Sequence, residues 1–170
     1  MYLNCNSFYS LNYGIMSVTA LLECARNAGV TDMALTDINN TSGCLDFMRL
    51  AAEYGIRPVI GIDFRRNTEQ LYVCLAKNAE GFRQLNEFLT FHRQNHTDLP
   101  LDPPALPDCL IIYPWKKGFA RVLTENEFVG LSPTDVSAYR LFGKCAPEKL
   151  VALAQVTFRN KKDFNTHRLL

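Results

Sequence analysis

The strongest constraint on this chain is an alternation. Between residues 1 and 92, short apolar runs take turns with stretches in which apolar residues recur every three or four positions. Residues 1–6 read as a short strand. Ser17 then reads as an N-cap, followed by Val18, Leu21, Leu22, Ala25 and Ala28 at helical spacing, with Gly29 as the stop. The run 32–37 reads as a buried strand. Residues 43–55 read as a helix with Leu45, Met48, Ala51 and Ala52 inward and Gly55 ending it. Strands are expected at 57–64 and 70–76. Asn78 is placed to cap a helix through Phe91, with Phe82, Leu85, Phe88 and Leu89 on its apolar face. Strand–helix alternation with continuous apolar strands predicts an α/β fold built on a parallel sheet or barrel.

Beyond residue 92 the pattern thins. A Pro-rich connector covers 97–108, and strands are expected at 109–114 and 150–158. A helix starts near 161 and is still running at 170, ending on Leu-Leu. That ending leads us to expect an excised N-terminal piece of a longer chain, organised as a single domain over 1–170.

With 170 residues there is length for one sizeable core. The 18 Lys and Arg nearly balance the 17 Asp and Glu, so net charge gives no pull toward nucleic acid. No apolar run approaches the ~20 residues that cross a bilayer, and the first residues lack the pattern of a secretory signal. The six cysteines at 5, 24, 44, 74, 109 and 145 form no C-x-x-C pair. They read as reduced thiols in or beside apolar segments, not as a zinc knuckle.

The stretch "LNCNSFYSLNYG" places two amides, Asn4 and Asn6, two apart at the end of a strand. On a regular strand they share one face, with Leu3 and Cys5 on the other. This stretch resembles the "L-H-x-H-S-x-Y-S-L-x-x-G" opening of the polymerase-and-histidinol-phosphatase (PHP) domain. Three more stretches resemble later motifs of that family in order: "MALTDINNTSG", "AAEYGIRPVIGIDF" and "VCLAKNAEGFRQLNEF". The last resembles the version fused to bacterial replicative DNA polymerase III alpha subunits, rather than the stand-alone phosphatases. The likeness runs through 1–92, with a weaker continuation over 150–170.

The resemblance implies a distorted barrel of seven strands and helices. In active members, His, Asp and Glu at the strands' C-terminal ends hold up to three metal ions that hydrolyse phosphoesters. By the same resemblance, the paired histidines fall on Asn4 and Asn6. The motif Asp is kept as Asp37, but the following His is Ile38. The motif Glu is Asp63, and a further His falls on Leu71. The late D-x-H falls on Gln155 and Thr157. A neutral amide oxygen is a poor replacement for imidazole on a transition metal, and Ile and Leu offer no donor. Asp37 and Asp63 together would hold at most one hydrated Mg²⁺ weakly. The expectation is a vestigial, metal-free site in which Asn4 and Asn6 donate hydrogen bonds to Asp37 or Asp63. A turn or capping role for Asp37 coexists with that reading.

His92 and His96 have the i, i+4 spacing of a helical metal pair but fall on a fraying helix end, and His167 reads as structural. Trp115, Lys116, Lys117, Phe119 and Arg121 mix base and aromatic as a nucleic-acid loop does, but fit a solvated loop with an aromatic anchor better.

The resemblance implies a structural and interaction module of a bacterial, cytoplasmic DNA polymerase. Its partners would be the rest of that chain, a separate proofreading exonuclease, and DNA through the parent enzyme. No cofactor is expected for these residues; Mg²⁺ would belong to a downstream polymerase domain. The competing function is an active metal-dependent phosphoesterase or 3′–5′ exonuclease.

Overall fold

The computed structural model describes residues 1–169. In chain order the first elements are β1 (Tyr2–Cys5), α1 (Val18–Asn27), β2 (Asp32–Leu35), α2 (Cys44–Ala51), β3 (Arg57–Arg66), β4 (Glu69–Ala76) and α3 (Ala79–Gln94). There follow β5 (Cys109–Pro114), β6 (Glu127–Leu131), α4 (Val136–Phe142), β7 (Leu150–Ala152), β8 (Gln155–Val156) and α5 (Lys161–His167). Leu170, the last residue of the helix expected at 161–170, lies outside the described residues.

All eight strands belong to one sheet, ordered β7-β6-β5-β4-β3-β2-β1-β8. Neighbours are parallel except at β4, which runs against both β3 and β5. The expected all-parallel sheet is therefore corrected to a mixed one. The cause is local. Arg66 pairs with Glu69 across a two-residue turn, with Asn67 in the left-handed region at φ 54°. Such a turn makes a hairpin, and a hairpin is antiparallel.

The sheet closes on itself through the chain. β7 pairs with β6 and β8 pairs with β1, yet only Leu153 and Ala154 separate them. Leu153 N–H donates to Leu131 O at 2.9 Å, and Asn6 N–H donates to Val156 O at 3.0 Å. The single strand expected at 150–158 is thus a bent one that joins both sheet edges. Counted as one stave, it makes the ring seven-stranded. Buried Ala34, Val73, Leu75, Ile112 and Leu153 fill its interior, with Leu3, Val59, Phe128 and Val151 packed on them.

The helices cover the outside. Ser17 Oγ accepts the Ala20 N–H at the start of α1, and Gly29 turns the chain out at φ 67°. Leu21, Leu22 and Ala25 then bury against Met33, Leu35 and Phe47. Asn78 caps α3 by accepting the Gly81 N–H, and Leu85, Phe88 and Leu89 pack on Ile62, Phe64 and Tyr72. Over α2 and its extension the expectation holds for Ala51 and fails for Leu45, Met48 and Ala52. Cys44, Phe47 and Ala51 are buried, whereas Leu45 and Met48 are 75% and 46% exposed. An eight-residue helix buries one stripe, and here it starts at Cys44. Leu45 and Met48 line a surface groove with Pro58, Ile60 and Phe82.

Strand β6 and helix α4 were not foreseen. Glu127–Leu131 is short and carries a glycine, and α4 buries no residue fully, so neither has a strong periodic signature. Residues 97–108 form no helix or strand, as expected of the connector.

Candidate functional site

The C-terminal ends of the parallel strands gather a set of buried polar side chains. At β1 the register slips between Tyr2 and Cys5, where three residues advance against two on β2. That irregularity changes which residues share a face. Cys5 packs with the outer core under α1 and α2, while Leu3 packs in the ring interior. The expected sharing of a face by Leu3 and Cys5 is therefore corrected. Asn4 and Asn6 are both almost completely buried. Asn4 Oδ1 accepts the Thr36 hydroxyl at 3.0 Å. Asn6 Nδ2 donates to Thr36 O at 2.5 Å, and its Oδ1 accepts from Gln155 Nε2 at 2.6 Å. Among the described residues the two amides make no hydrogen bond to Asp37 or Asp63; their partners are Thr36 and Gln155.

Gln155 extends the network. Its Oε1 accepts the Tyr13 hydroxyl at 2.7 Å, and the Tyr13 ring lies 4.6 Å beneath the Arg65 guanidinium. Arg65 reaches Asp63 Oδ2 through Nη2 at 2.8 Å and Nε at 3.2 Å. Gln70 Nε2 donates to the same oxygen at 3.0 Å. Both charged side chains are out of water, at 8% exposure for Arg65 and 0% for Asp63. Asp63 Oδ1 is buried without a hydrogen-bond partner.

Leu71 is not in this set. β3 and β4 slip register between Phe64 and Arg65, so Phe64 pairs with Tyr72 and Arg65 with Gln70. Leu71, left over, packs with Phe64 and Tyr72 in the outer core. The irregularity brings Gln70 to the position expected of residue 71. Ile38 is half-buried; its backbone bridges to Asp63, and its N–H donates to Ser10 Oγ at 2.9 Å. Thr157 is buried near the end of the closing strand.

Asp37 follows Thr36 and faces the other way, toward α2. A Cβ on Gly43 would meet Asp37 Oδ2 at 3.0 Å, so that corner admits only glycine without a shift. Ser7 holds the carboxylate with its N–H at 2.7 Å and its Oγ at 2.8 and 3.0 Å, and Ser10 Oγ adds a donor at 2.7 Å. Asp37 therefore anchors the 7–14 loop onto the sheet, and the turn or capping role expected of it is corrected, because Gly43 occupies the N-cap of α2 and the carboxylate is taken by Ser7 and Ser10. The expected pairing with Asn4 or Asn6 is corrected, because the strand alternation turns them to opposite sides.

Burial pushes the Asp37 carboxyl above its ordinary range, against the pull of Ser10 and Ser7. An acid whose folded pKa lies above its unfolded one binds its proton more tightly when folded. Its contribution is present below the ordinary Asp value and is lost as pH rises through the raised one. Asp37→Asn should therefore gain stability relative to the wild type as pH rises from about 4 toward neutrality. Urea unfolding of both proteins across that range measures the difference.

The side chains at the barrel's strand ends are mostly amides, with Asp63 as the carboxylate among them. The orphan Asp63 Oδ1 is a single anionic oxygen whose carboxylate is already paired with a guanidinium. Among the described residues, no three His, Cys, Asp or Glu side chains converge as ligands would. His92 lies in the last turn of α3, which ends at Gln94, and His96 lies beyond it at φ 51°, so the pair shares no helical face. His167 Nδ1 donates to Tyr13 O at 2.8 Å, a packing role. Trp115 is buried against Tyr139, and Arg121 lies over the Tyr113 ring, so that loop is anchored by its aromatics.

Ser7, Ser10, Tyr13, Arg65 and Gln70 were not singled out by sequence reasoning. Serines in a Ser/Tyr-rich loop carry little signal, and Arg65 looks like any charge at a hairpin end. The adjacent buried Asp63 was the available hint, because a buried carboxylate needs a partner.

The frame is a seven-staved α/β barrel with buried polar side chains at its strand ends. The PHP domain family model matches residues 3–111, and the chain belongs to that family. It is 35% identical over 83 residues to the DNA polymerase III subunit alpha of Ureaplasma parvum, covering 49% of this chain and 8% of that protein. The Buchnera aphidicola DNA polymerase III subunit alpha aligns over 99% of this chain and 18% of its own length, at 24% identity. The chain thus spans less than a fifth of these relatives. Among solved structures, an amidohydrolase from Chromobacterium violaceum with bound sulfate and no metal matches 56% of this chain and 34% of its own. Its TM-score is 0.45 and its identity 24%. Among the described residues, no helix is long and apolar enough to cross a membrane.

Proposed function

We propose that this chain is the N-terminal PHP module of a bacterial replicative polymerase of the DNA polymerase III alpha type. Its metal centre has been replaced by a self-contained polar network, and its role is structural. The observation that carries this reading is the Arg65–Asp63 pair. In a phosphoesterase a carboxylate at a strand tip spends its negative charge on metal, whereas here a guanidinium neutralises it through Oδ2 and one oxygen is left over. The amides at 4 and 6 are likewise used by Thr36 and Gln155. Similarity to DNA polymerase III alpha subunits supports the choice of parent enzyme. Contacts with the rest of the polymerase, with a proofreading exonuclease and, through the parent, with DNA belong to this proposal, as does a cytoplasmic location.

Hydrolysis decides between this and the phosphoesterase reading. The purified chain, incubated with Mn²⁺, should not hydrolyse an aryl phosphate or trim a labelled single strand. Asn4→His/Asn6→His should be equally inactive, because Ile38 and Leu71 still provide no donors and Arg65 still holds Asp63. Metal-dependent turnover by the wild type would defeat the proposal.

A further inference from the structure

Outside the barrel mouth, one cavity has unused positive charge. It holds about 360 Å³ and lies between the β3–β4 turn, the end of α3 and the loop after it. Arg66, Arg93, His92, His96 and Asn67 line it, with Asp98 as the one carboxylate. Arg65 also lines it, but its charge is committed to Asp63. Neither Arg66 nor Arg93 has an ion pair among the described residues. The Lys116 ammonium, with a small contribution from Arg66, holds the Glu69 carboxyl below its ordinary range, and Glu69 is paired with Lys116.

Both guanidiniums are held in place by neutral groups. Arg66 Nη2 donates to Leu99 O, and Arg93 Nη2 donates to Asn39 O. Arg66 Nε is buried and has no acceptor at all. The end of α3 would normally repel an anion. Here its last carbonyls, Phe91 O, His92 O and Arg93 O, accept the N–H groups of Asn95, Thr97 and His96. Fixed guanidiniums with spare donors are the chemistry that recognises a phosphate oxyanion.

We infer that this cavity is a phosphate-binding site, and that the phosphate it takes is the backbone of a single DNA strand. The choice of DNA as the source rests on the polymerase reading above. The site itself rests only on the geometry. The strand would lie across the outside of the barrel, near the β3–β4 turn, at a cavity that borders the Asp63 network through Arg65.

The test uses the 170-residue chain and a fluorescein-labelled dodecathymidylate in low salt. Anisotropy should rise and saturate, and inorganic phosphate should compete. Arg66→Gln/Arg93→Gln should weaken binding about tenfold or more, since removing a hydrogen bond to a charged group has an effect of that order. That pair also removes two tethers, so Asn67→Asp serves as the gentler variant. Residue 67 is exposed and left-handed, a conformation Asp tolerates. It should weaken binding severalfold with an unchanged melting temperature. Lys161→Gln/Lys162→Gln, on the exposed face of α5, should leave binding intact. No saturable binding of either probe, or equal losses in the lysine pair, would overturn the proposal. Phosphate binding that responds to Arg66 and Arg93 without oligonucleotide binding would keep the oxyanion site and overturn its assignment to DNA. The Mn²⁺ hydrolysis assay tests the polymerase-module reading separately.

Discussion

Arg65→Met should destabilise the chain by roughly 3–5 kcal/mol, the range for stranding one partner of a buried ion pair. Asp63 is fully buried, its Oδ1 already lacks a partner, and without Arg65 only Gln70 would remain on Oδ2. The loss is mainly the cost of leaving a carboxylate uncompensated, not the worth of the pair. The double variant Arg65→Met/Asp63→Leu should therefore recover most of it, because Gln70 is only half-buried and can turn to water. Urea unfolding of the wild type, both single variants and the double gives the coupling energy directly. If the Met variant is as stable as the wild type, the guanidinium is not the charge that holds Asp63.

Phe64→Ala should cost a similar ~3–5 kcal/mol, the range for truncating a buried phenylalanine. Phe64 is fully buried, with its ring centroid 5.3 Å from both Tyr72 and Phe88. It sits between Asp63 and Arg65 and points away from them, into the core under α3. Its packing fixes the end of β3 just where the two charged residues turn inward. Because Phe64 and Arg65 are adjacent and share the β3–β4 irregularity, their effects should not add. Thermal unfolding of Phe64→Ala, Arg65→Met and the combination measures the departure. A loss below about 1 kcal/mol for Phe64→Ala would mean that the core closes over the gap, outside the range expected of a filled site.

What the sequence showed of this fold was its strongly periodic part. α1 and α3 carry their caps and their apolar faces in plain view, through Ser17, Gly29 and Asn78. The strands through β5 are apolar runs bounded by polar residues. Three features were hidden because they depend on pairing rather than on local pattern. β4 runs antiparallel because of a two-residue turn. The strand near residue 150 divides its partners between both edges of the sheet. The slips at β1 and at β3–β4 move Leu3, Gln70 and Leu71 from where strict alternation would put them. The helix α2 misled for another reason. Leu45 and Met48 have the right spacing, but so do Cys44, Phe47 and Ala51, and the sheet covers only one stripe.

The candidate site was legible in position but not in partners. Asn4, Asn6, Asp63 and Gln155 do lie at the strand ends, but the bond from Gln155 to Asn6 was not indicated by the motif. Which group each amide or carboxylate would take was not readable from spacing. Asp37 went to Ser7 and Ser10 on the far side of the sheet, and Asp63 went to a residue two positions along its own strand. Both outcomes follow from strand alternation combined with the need to satisfy a buried carboxylate, a need that names no partner in advance.

Metal content is the most direct test of a cation supplied by the chain itself. The protein, incubated with Zn²⁺ and Mn²⁺ and then desalted, is assayed by plasma emission spectrometry, and its melting temperature is recorded with and without EDTA. The account predicts far less than one ion per chain and a melting temperature that chelation leaves unchanged. One or more retained ions per chain, released by Asp63→Asn and accompanied by a marked fall in melting temperature with EDTA, would contradict it.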